Sequence, residues 1–246
     1  MSHVISIAHR GASGKDHSPE NTLAAFQEAI DIGVDGIECD VHRTADAHII
    51  TIHDATLNRT TDMKGDIKAL TLDDIKKADA GSWLHTSFRG QRVPTLNEML
   101  ELTKGKAVNI IEIKAEGITQ EVIKVIEETG AVDECIIISF HPNAIADAFR
   151  INPSIPRALL IGGSIAIRRT APILKLIQQA VELGAGTLNL AYKIISPKLI
   201  KEAHKRGIGV WAWTVDDEEE IKRLIDIGID GITSNYPKML KTTVDR

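Results

Sequence analysis

The 246-residue sequence contains only two cysteines, and aromatic residues make up only 4% of it. This excludes a disulfide scaffold. The spacing of Cys39 and Cys135 is unlike that of metal sites, so we expect buried thiols in a reducing compartment. Apolar residues account for 43% and charged residues for 26%, which excludes disordered and collagen-like chains. A chain of this length can bury a full core without metal or disulfide cross-links.

The sequence also lacks runs of lysine and arginine, and its net charge is −5 from 29 basic and 34 acidic residues. This balance argues against nucleic acid as a partner and against stable membrane association. No apolar run is long enough to span a bilayer, and the short apolar run near the N-terminus follows no basic segment. We therefore expect a soluble cytoplasmic protein with a small-molecule substrate; its oligomeric state is not predicted.

Short apolar runs alternate with helical patterns, which is typical of βα units and a parallel sheet. Helical patterns are clearest over 22–32, 120–128, 144–151, 173–183, 197–205 and 218–227. The phrase Ile-Gly-Val-Asp-Gly-Ile at 32–37 returns as Ile-Gly-Ile-Asp-Gly-Ile at 227–232, which indicates one helix–strand joint used twice. The predicted strands cover 4–8, 36–41, 49–53, 108–113, 136–139, 157–161, 187–189, 209–213 and 231–233.

One of these nine strands is too close to its predecessor to be parallel to it. Only seven residues separate Val41 from Ile49, whereas a parallel crossover needs about a dozen or more. We predict a hairpin there, which leaves an α/β fold of the (β/α)₈ TIM-barrel type. The hairpin follows strand 2, and a small insertion over about 54–106 precedes strand 3, all within a single domain spanning 1–246. Two capping boxes, Thr71–Asp74 and Thr95–Glu98, predict short helices in the insertion.

Active sites of such barrels lie at the carboxyl ends of the strands. Two of the predicted strands carry charged pairs there at i, i+2 spacing, Glu38 with Asp40 and Glu112 with Lys114, so each pair shares one face of its strand. If the apolar face packs on the helices, the charged pairs point to the barrel axis. Three carboxylates around one axis repel each other unless a cation lies between them, and oxygen ligands favour one divalent metal ion, Mg²⁺ or Ca²⁺.

Two histidines are expected next to these carboxylates. His9 ends the first strand, and His53 ends the hairpin arm. An even number of residues in the hairpin loop would place His53 on the face that carries Glu38 and Asp40. Histidines on either side of a metal ion can act as base and acid near neutral pH.

Longer motifs resemble the bacterial glycerophosphodiester phosphodiesterase family almost from end to end. They include His9-Arg10-Gly11-Ala12, Pro19-Glu20-Asn21-Thr22, Glu38-Cys39-Asp40-Val41, the run from His53 to Thr61, Pro94-Thr95-Leu96, Glu112-Ile113-Lys114, Ser139-Phe140, Trp213-Thr214-Val215 and Asp230-Gly231-Ile232. The resemblance implies a TIM barrel and metal-dependent hydrolysis of glycerophosphodiesters to glycerol 3-phosphate and an alcohol.

The same resemblance assigns roles to individual residues. It implies His9 and His53 as the general acid–base pair, and three metal ligands, Glu38, Asp40 and Glu112. Four residues are expected to bind substrate, two of them cations that hold the phosphate: Arg10, Lys114, Phe140 and Trp213.

The sequence departs from common family residues at Ala47 in the hairpin turn, at Asp216, and at Asn235. We expect none of these to touch the metal ligands or the acid–base pair. Ala47 would be strained if the turn requires a positive φ there.

Charge favours this interpretation. Three carboxylates, a divalent cation, Arg10 and Lys114 sum to +1, which is opposite in sign to a phosphodiester. Two alternatives are a phospholipase D-like or C-like enzyme acting on lysophospholipids, and a non-catalytic phosphate-binding barrel. Attack on phosphorus by a neighbouring substrate hydroxyl, through a cyclic phosphate, and direct attack by water both stay open.

Overall fold

The computed structural model of the protein describes residues 3–245. Its strands are β1 (Ile5–Ala8), β2 (Gly36–Arg43), β3 (Ile49–Thr51), β4 (Val108–Ile113), β5 (Cys135–Ser139), β6 (Arg157–Ile161), β7 (Thr187–Ala191), β8 (Gly209–Trp213) and β9 (Gly231–Ser234). Eight of them form a closed parallel ring, because β1 pairs with both β2 and β9. β3 lies outside the ring, antiparallel to β2. The predicted (β/α)₈ barrel with a hairpin after its second strand is confirmed.

Helices surround this ring. They are α1 (Leu23–Ile32), α2 (Leu72–Ile75), α3 (Leu96–Thr103), α4 (Thr119–Glu128), α5 (Pro142–Ile151), α6 (Thr170–Glu182), α7 (Pro197–His204), α8 (Glu218–Asp226) and α9 (Pro237–Val244). All six predicted helical patterns occur, although α6 begins three residues earlier than the expected 173. Within residues 3–245 no helix combines the length and the apolar character needed to cross a membrane.

Apolar side chains form separate layers on the two faces of the ring. Outward-facing residues such as Ile37, Val41 and Ile111 pack against the helices, together with both cysteines, which are buried thiols as expected. Ile7 and Ile110 pack inside the barrel, with four other buried residues. Both faces of the strands are covered, so β-branched residues run almost continuously along β4 and β5, as is typical of parallel sheets. Burying each such side chain contributes about 1.5–3 kcal/mol.

The repeated hexapeptide forms the same joint twice, as predicted. Gly33 ends α1 in the left-handed region with φ of 79°, and Gly228 follows α8 with φ of 87°. In the first joint the Asp35 carboxylate accepts the backbone N–H of Ser6 at 2.8 Å, and in the second the Asp230 carboxylate accepts that of Val210 at 2.7 Å. Each aspartate therefore ties its joint to the neighbouring strand.

The hairpin register differs from the expectation. Val41 is opposite Thr51 and His42 is opposite Ile50, so the loop contains an odd rather than an even number of residues. The turn places Ala47 at φ of 65°, the left-handed conformation in which alanine is strained. Continued along the strand, this register would place position 53 on the face opposite to Glu38 and Asp40. The predicted even loop, and the argument for His53 built on it, are wrong.

The segment between β3 and β4 has a small apolar core of its own. It includes Ile52, Leu57 and Ile75, which pack beneath the outer arm of the hairpin. Thr95 forms the predicted capping box with Glu98. Thr71 caps α2, but Asp74 bonds to the Thr71 hydroxyl rather than to its backbone N–H, because aspartate is one methylene shorter than the glutamate this motif requires.

Candidate active site

Three buried carboxylates lie at the carboxyl ends of neighbouring strands. Glu38 and Asp40 belong to β2, Glu112 belongs to β4, and one oxygen from each lies within 4.8 Å of the others. Cys39, which lies between Glu38 and Asp40, and Ile111, which precedes Glu112, pack outward against the helices. The alternation of the strands therefore points the carboxylates to the barrel axis, as the i, i+2 spacing predicted.

The protonation of these carboxylates reflects their crowding. Burial raises the pKa of Glu38 well above its usual value, and the charges of Asp40 and Glu112 raise it further. Burial and Asp40 raise the pKa of Glu112 to about 7. Burial would also raise the pKa of Asp40, but the Arg10 guanidinium and the Lys114 ammonium outweigh it and hold that pKa below its usual range. Asp40 is therefore the permanent anion of the cluster.

The cluster suits a divalent cation. Every donor is a carboxylate oxygen, which favours Mg²⁺ or Ca²⁺ over zinc. Glu38 Oε1 is buried and accepts no hydrogen bond among the described residues, an arrangement that is costly for an oxygen with nothing to bind. The residues present therefore fit one hard metal ion bound by Glu38, Asp40 and Glu112.

Arg10 reaches the cluster through an unusual turn after β1. Its backbone has φ of 56°, and its N–H donates to Glu38 Oε2 at 2.8 Å. The guanidinium then lies 3.2 Å from Asp40 Oδ2 and 2.8 Å from Glu20 Oε1. The next residue must be glycine, because a Cβ on Gly11 would meet Ala25 at 2.7 Å. Close packing of this turn on α1 thus fixes the direction of the arginine.

Lys114 follows β4 and approaches the cluster from the other side. Its Nζ lies 2.8 Å from Glu112 Oε1 and 3.4 Å from Asp40 Oδ1. Burial would lower the pKa of Lys114, but Asp40 and Glu112 raise it, so the ammonium stays charged. Two cations, Arg10 and Lys114, thus border the carboxylates.

His9 is held by a chain of hydrogen bonds. Its Nδ1 donates to Asn235 Oδ1 at 2.7 Å, and Asn235 Nδ2 donates to Asp216 Oδ2 at 2.6 Å. His9 Nε2 points towards Glu38 and lies 4.0 Å from its Oε2. The expectation that Asn235 does not touch His9 or His53 is wrong, because β9 ends beside β1 and carries Asn235 to His9, whereas Asp216 bonds to Asn235 and not to His9.

His53 lines the cleft, although the hairpin register alone would place it on the opposite face of the strand. β3 ends at Thr51, and the chain bends away before His53, so the alternation of the strand no longer determines its direction. His53 Nδ1 donates to Asp54 Oδ1 at 2.8 Å, and its carbonyl accepts a hydrogen bond from His42 at 3.0 Å. Arg59 clamps this bend by pairing with both Asp54 and Glu20.

A cavity of about 120 Å³ connects these groups with an apolar wall. His9, Arg10, Glu38, His53, Glu112 and Lys114 line one side, and Ile138, Phe140, Leu160, Asn189, Trp213, Thr214 and Thr233 complete the lining. The Phe140 and Trp213 rings meet edge to face, with centroids 5.3 Å apart. The structure therefore brings the sequence-predicted candidates to one cleft, with Asp40 directly beneath Arg10 and Lys114.

A larger groove of about 840 Å³ lies between the loops after β6 and β7 and the start of α8. Arg168, Lys193 and Arg223 line it, and it shares no lining residue with the cleft. It contains none of the acid–base or metal candidates. The smaller cleft is therefore the candidate active site.

Sequence reasoning missed several residues that line this cleft or bond to its lining. Glu20 and Arg59 lie in motifs that the resemblance had singled out, so their signal was available but received no role. Asn189 lies in the middle of β7 and Asn235 directly follows β9. Both are neutral amides, and no charge distinguishes them as site residues.

A sequence model of the glycerophosphoryl diester phosphodiesterase family matches residues 9–239. The chain belongs to this family. It is 38% identical over 243 residues to a glycerophosphodiester phosphodiesterase of Caldanaerobacter subterraneus, and this match covers 96% of both chains. It is 28% identical to a rat lysophospholipase D, with 96% of this chain and 84% of the rat protein covered.

A solved member of similar fold comes from Oleispira antarctica. That phosphodiesterase, in complex with its product sn-glycerol 3-phosphate, superposes with a TM-score of 0.89 at 28% identity. The match covers 99% of this chain and 98% of the other. The family assignment agrees with the barrel and with the motif order along the chain.

Proposed function

We propose that this phosphodiesterase-family chain hydrolyses glycerophosphodiesters to glycerol 3-phosphate and an alcohol with one divalent metal ion. The observation that carries the proposal is the cluster of Glu38, Asp40 and Glu112, with two histidines facing one small cleft. The Caldanaerobacter relative is a glycerophosphodiester phosphodiesterase and the Oleispira enzyme binds sn-glycerol 3-phosphate as its product, and both support the proposal.

Glu38, Asp40 and Glu112 would hold the cation, either Mg²⁺ or Ca²⁺. When bound, such an ion polarises a phosphate oxygen and offsets carboxylate charge. Arg10 and Lys114 would hold the remaining phosphate oxygens, since their charged ends already lie at the mouth of the cluster. Phe140 and Trp213 would border the bound substrate on its apolar side.

His9 would act as the base. Its Nδ1–H is committed to Asn235, which leaves Nε2 to accept a proton in the cleft. Burial lowers the pKa of His9, and the neighbouring Arg10 guanidinium lowers it further, so the ring is neutral near pH 7. A neutral imidazole with a fixed tautomer is ready to take a proton from the attacking oxygen.

His53 would act as the acid. Its Nδ1 donates to the Asp54 carboxylate at 2.8 Å, which orients the ring and leaves Nε2 for the departing group. The remaining Nε2–H would protonate the departing alkoxide of the alcohol. The attacking oxygen is either a neighbouring hydroxyl of the substrate, which gives a cyclic phosphate, or water, and labelled water with a search for the cyclic species separates the two routes.

A substrate panel tests the proposal. We expect release of glycerol 3-phosphate from glycerophosphocholine with Mg²⁺ or Ca²⁺, and its loss in a chelator. His9→Ala and His53→Ala should each lower turnover by about 10²–10⁴, whereas His48→Ala, at an exposed position on the same hairpin, serves as the matched control.

Three outcomes would contradict this function. Full activity after complete removal of metal would refute the metal site. Turnover of lysophosphatidylcholine but not of glycerophosphocholine would favour the lysophospholipid alternative, and turnover of neither would favour a phosphate-binding barrel.

A further inference from the structure

One buried polar side chain in the cleft has no partner. Asn189 on β7 is only 1% exposed, yet its Oδ1 accepts no hydrogen bond among the described residues. An amide oxygen buried in this way normally finds a donor, because leaving it unpaired destabilises the fold. The position therefore has a cost that folding alone does not explain.

Asn189 points into the cleft and not into the helix layer. Its neighbours in sequence, Leu188 and Leu190, pack outward in the main core, so the alternation of β7 turns Asn189 to the axis. It also lines the same cavity as His9 and Glu112. A group bound in that cavity could therefore supply the missing donor.

The opposite side of the barrel carries the charge. β7 is four strands from β2 in either direction around the ring, so Asn189 faces the strand that bears Glu38 and Asp40. Its neighbours in the wall are Leu160 and Trp213, which bring no charge. The Trp213 indole N–H is already donated to the Asn189 carbonyl at 3.1 Å. Hence, among the described residues, the Trp213 indole does not provide a donor for the Asn189 side-chain oxygen.

We propose that Asn189 is a specificity-determining residue whose side-chain oxygen accepts a hydroxyl of the substrate's glycerol group. This inference rests on the proposed function and names the contact that selects glycerol. A phosphate oxygen is the wrong partner, because an unprotonated acceptor cannot satisfy another acceptor. A glycerol hydroxyl is a neutral donor, which suits an uncharged wall opposite the cations.

A matched pair of variants separates recognition from folding. Asn109 on β4 is equally buried, at 0% exposure, but faces the helices and accepts a hydrogen bond from Thr103 at 2.7 Å. Asn109→Leu breaks that bond and should lower the melting temperature. Asn189→Leu breaks no bond within the described residues and removes an unpaired amide, so the melting temperature should stay the same or rise.

The experiment compares sn-glycero-3-phosphocholine with two analogues, each lacking one glycerol hydroxyl, in the presence of Mg²⁺. We expect wild type to discriminate against at least one analogue by about tenfold to a hundredfold in kcat/KM. In Asn189→Leu, kcat/KM for sn-glycero-3-phosphocholine should fall by the same factor. Its kcat/KM for the analogue that wild type disfavours should equal that of wild type. Calorimetry should show weaker binding of sn-glycerol 3-phosphate to Asn189→Leu, and unchanged binding to Asn109→Leu.

Failure of this inference differs from failure of the proposed function. A wild type that releases no glycerol 3-phosphate would overturn the function and the glycerol contact together. An active wild type whose discrimination persists in Asn189→Leu would overturn the contact alone. A lowered melting temperature with equal losses on all three substrates would make Asn189 a structural residue and would also overturn it.

Discussion

Asp216 and Asn235, two departures from common family residues, form one hydrogen-bonded pair. The family resemblance implies asparagine at position 216 and aspartate at position 235, but this chain has Asp216 and Asn235, and the two side chains bond to each other at 2.6 Å. Exchanging carboxylate and amide keeps one donor and one acceptor in the pair. The residue that faces His9 is then the neutral amide, whose oxygen still accepts the Nδ1–H.

This contact makes Asn235 a positioning residue for His9. Asn235→Ala should lower kcat by about tenfold to a hundredfold with little change in KM, because the ring loses its fixed tautomer while the phosphate contacts remain. The double substitution Asp216→Asn/Asn235→Asp should restore most of the loss, since an acceptor again faces Nδ1. Steady-state kinetics of the three variants measure this, and a double variant as poor as Asn235→Ala would show that the pair only supports the fold.

At the scale of residues, the sequence allowed charged site residues to be predicted but not neutral ones. Carboxylates and histidines at strand ends can be predicted as site residues, because a buried charge without a purpose is too costly to retain. Asn189 and Asn235 carry no such signal, as a neutral amide is common in turns and loops. Asn189 lies on β7, and Asn235 follows β9. Both come close to the site only because the strands close into a ring, which local sequence does not encode.

At the scale of elements, the hairpin shows where pattern reasoning ends. The short spacing after β2 correctly predicted an antiparallel arm. Its register depends on the turn, where Thr44 and Asp46 share a hydrogen bond and Ala47 adopts a positive φ. Such a turn adds one residue to the loop, and no apolar alternation over three strand residues reveals it. His53 reaches the cleft because its strand stops early.

The repeated joint was easier to predict because its chemistry is local. A glycine ends the helix, and an aspartate two residues later precedes the strand. Asp35 accepts both the backbone N–H and the hydroxyl of Ser6, at 2.8 and 2.6 Å, while Ser6 itself is fully buried. Burial would raise the pKa of Asp35, but these hydrogen bonds with Ser6 outweigh it and lower the pKa from 3.8.

Asp35→Asn should therefore reduce the free energy of unfolding by about 1–2 kcal/mol at pH 7, because charged hydrogen bonds become neutral ones. The pKa is depressed in the folded state, so the contribution is complete above about pH 5, declines once the pH is below the unfolded value, and is lost as the pH falls through the lower folded-state pKa. Urea titrations at pH 7 and pH 3 should show a difference between wild type and variant that shrinks on acidification. Asp66→Asn, at an exposed position without a side-chain cap bond, should show no such difference.

At the scale of the whole molecule, the site exists only when the barrel is closed. Its groups come from β1, β2, β4, the hairpin and the end of β9, so they span the chain from His9 to Asn235. Closing the ring buries three carboxylates together, and burial, with repulsion from neighbouring carboxylates, raises the pKa values of Glu38 and Glu112. A ligand that binds this arrangement and not the unfolded chain stabilises the entire fold.

We therefore expect Mg²⁺ or Ca²⁺ to raise the melting temperature at pH 7.5. At a hundred times its dissociation constant a ligand contributes about 2.7 kcal/mol, which corresponds to about 5–10 °C for a chain of this size. Binding should weaken below pH 7, because protons then compete for Glu112, whose pKa is about 7.

Glu38→Gln separates metal binding from folding in this whole-molecule measurement. The amide oxygen can still accept the Arg10 N–H, while one ligand charge is lost and the repulsion with Asp40 and Glu112 falls. Without metal the variant should melt at or above the wild-type temperature, and added metal should no longer shift it. Glu128→Gln, on the exposed surface of α4, should respond to metal as wild type does. Scanning calorimetry in chelator and in each metal measures all three proteins, and a Glu38→Gln protein with an undiminished metal response would remove Glu38 from the ligand set.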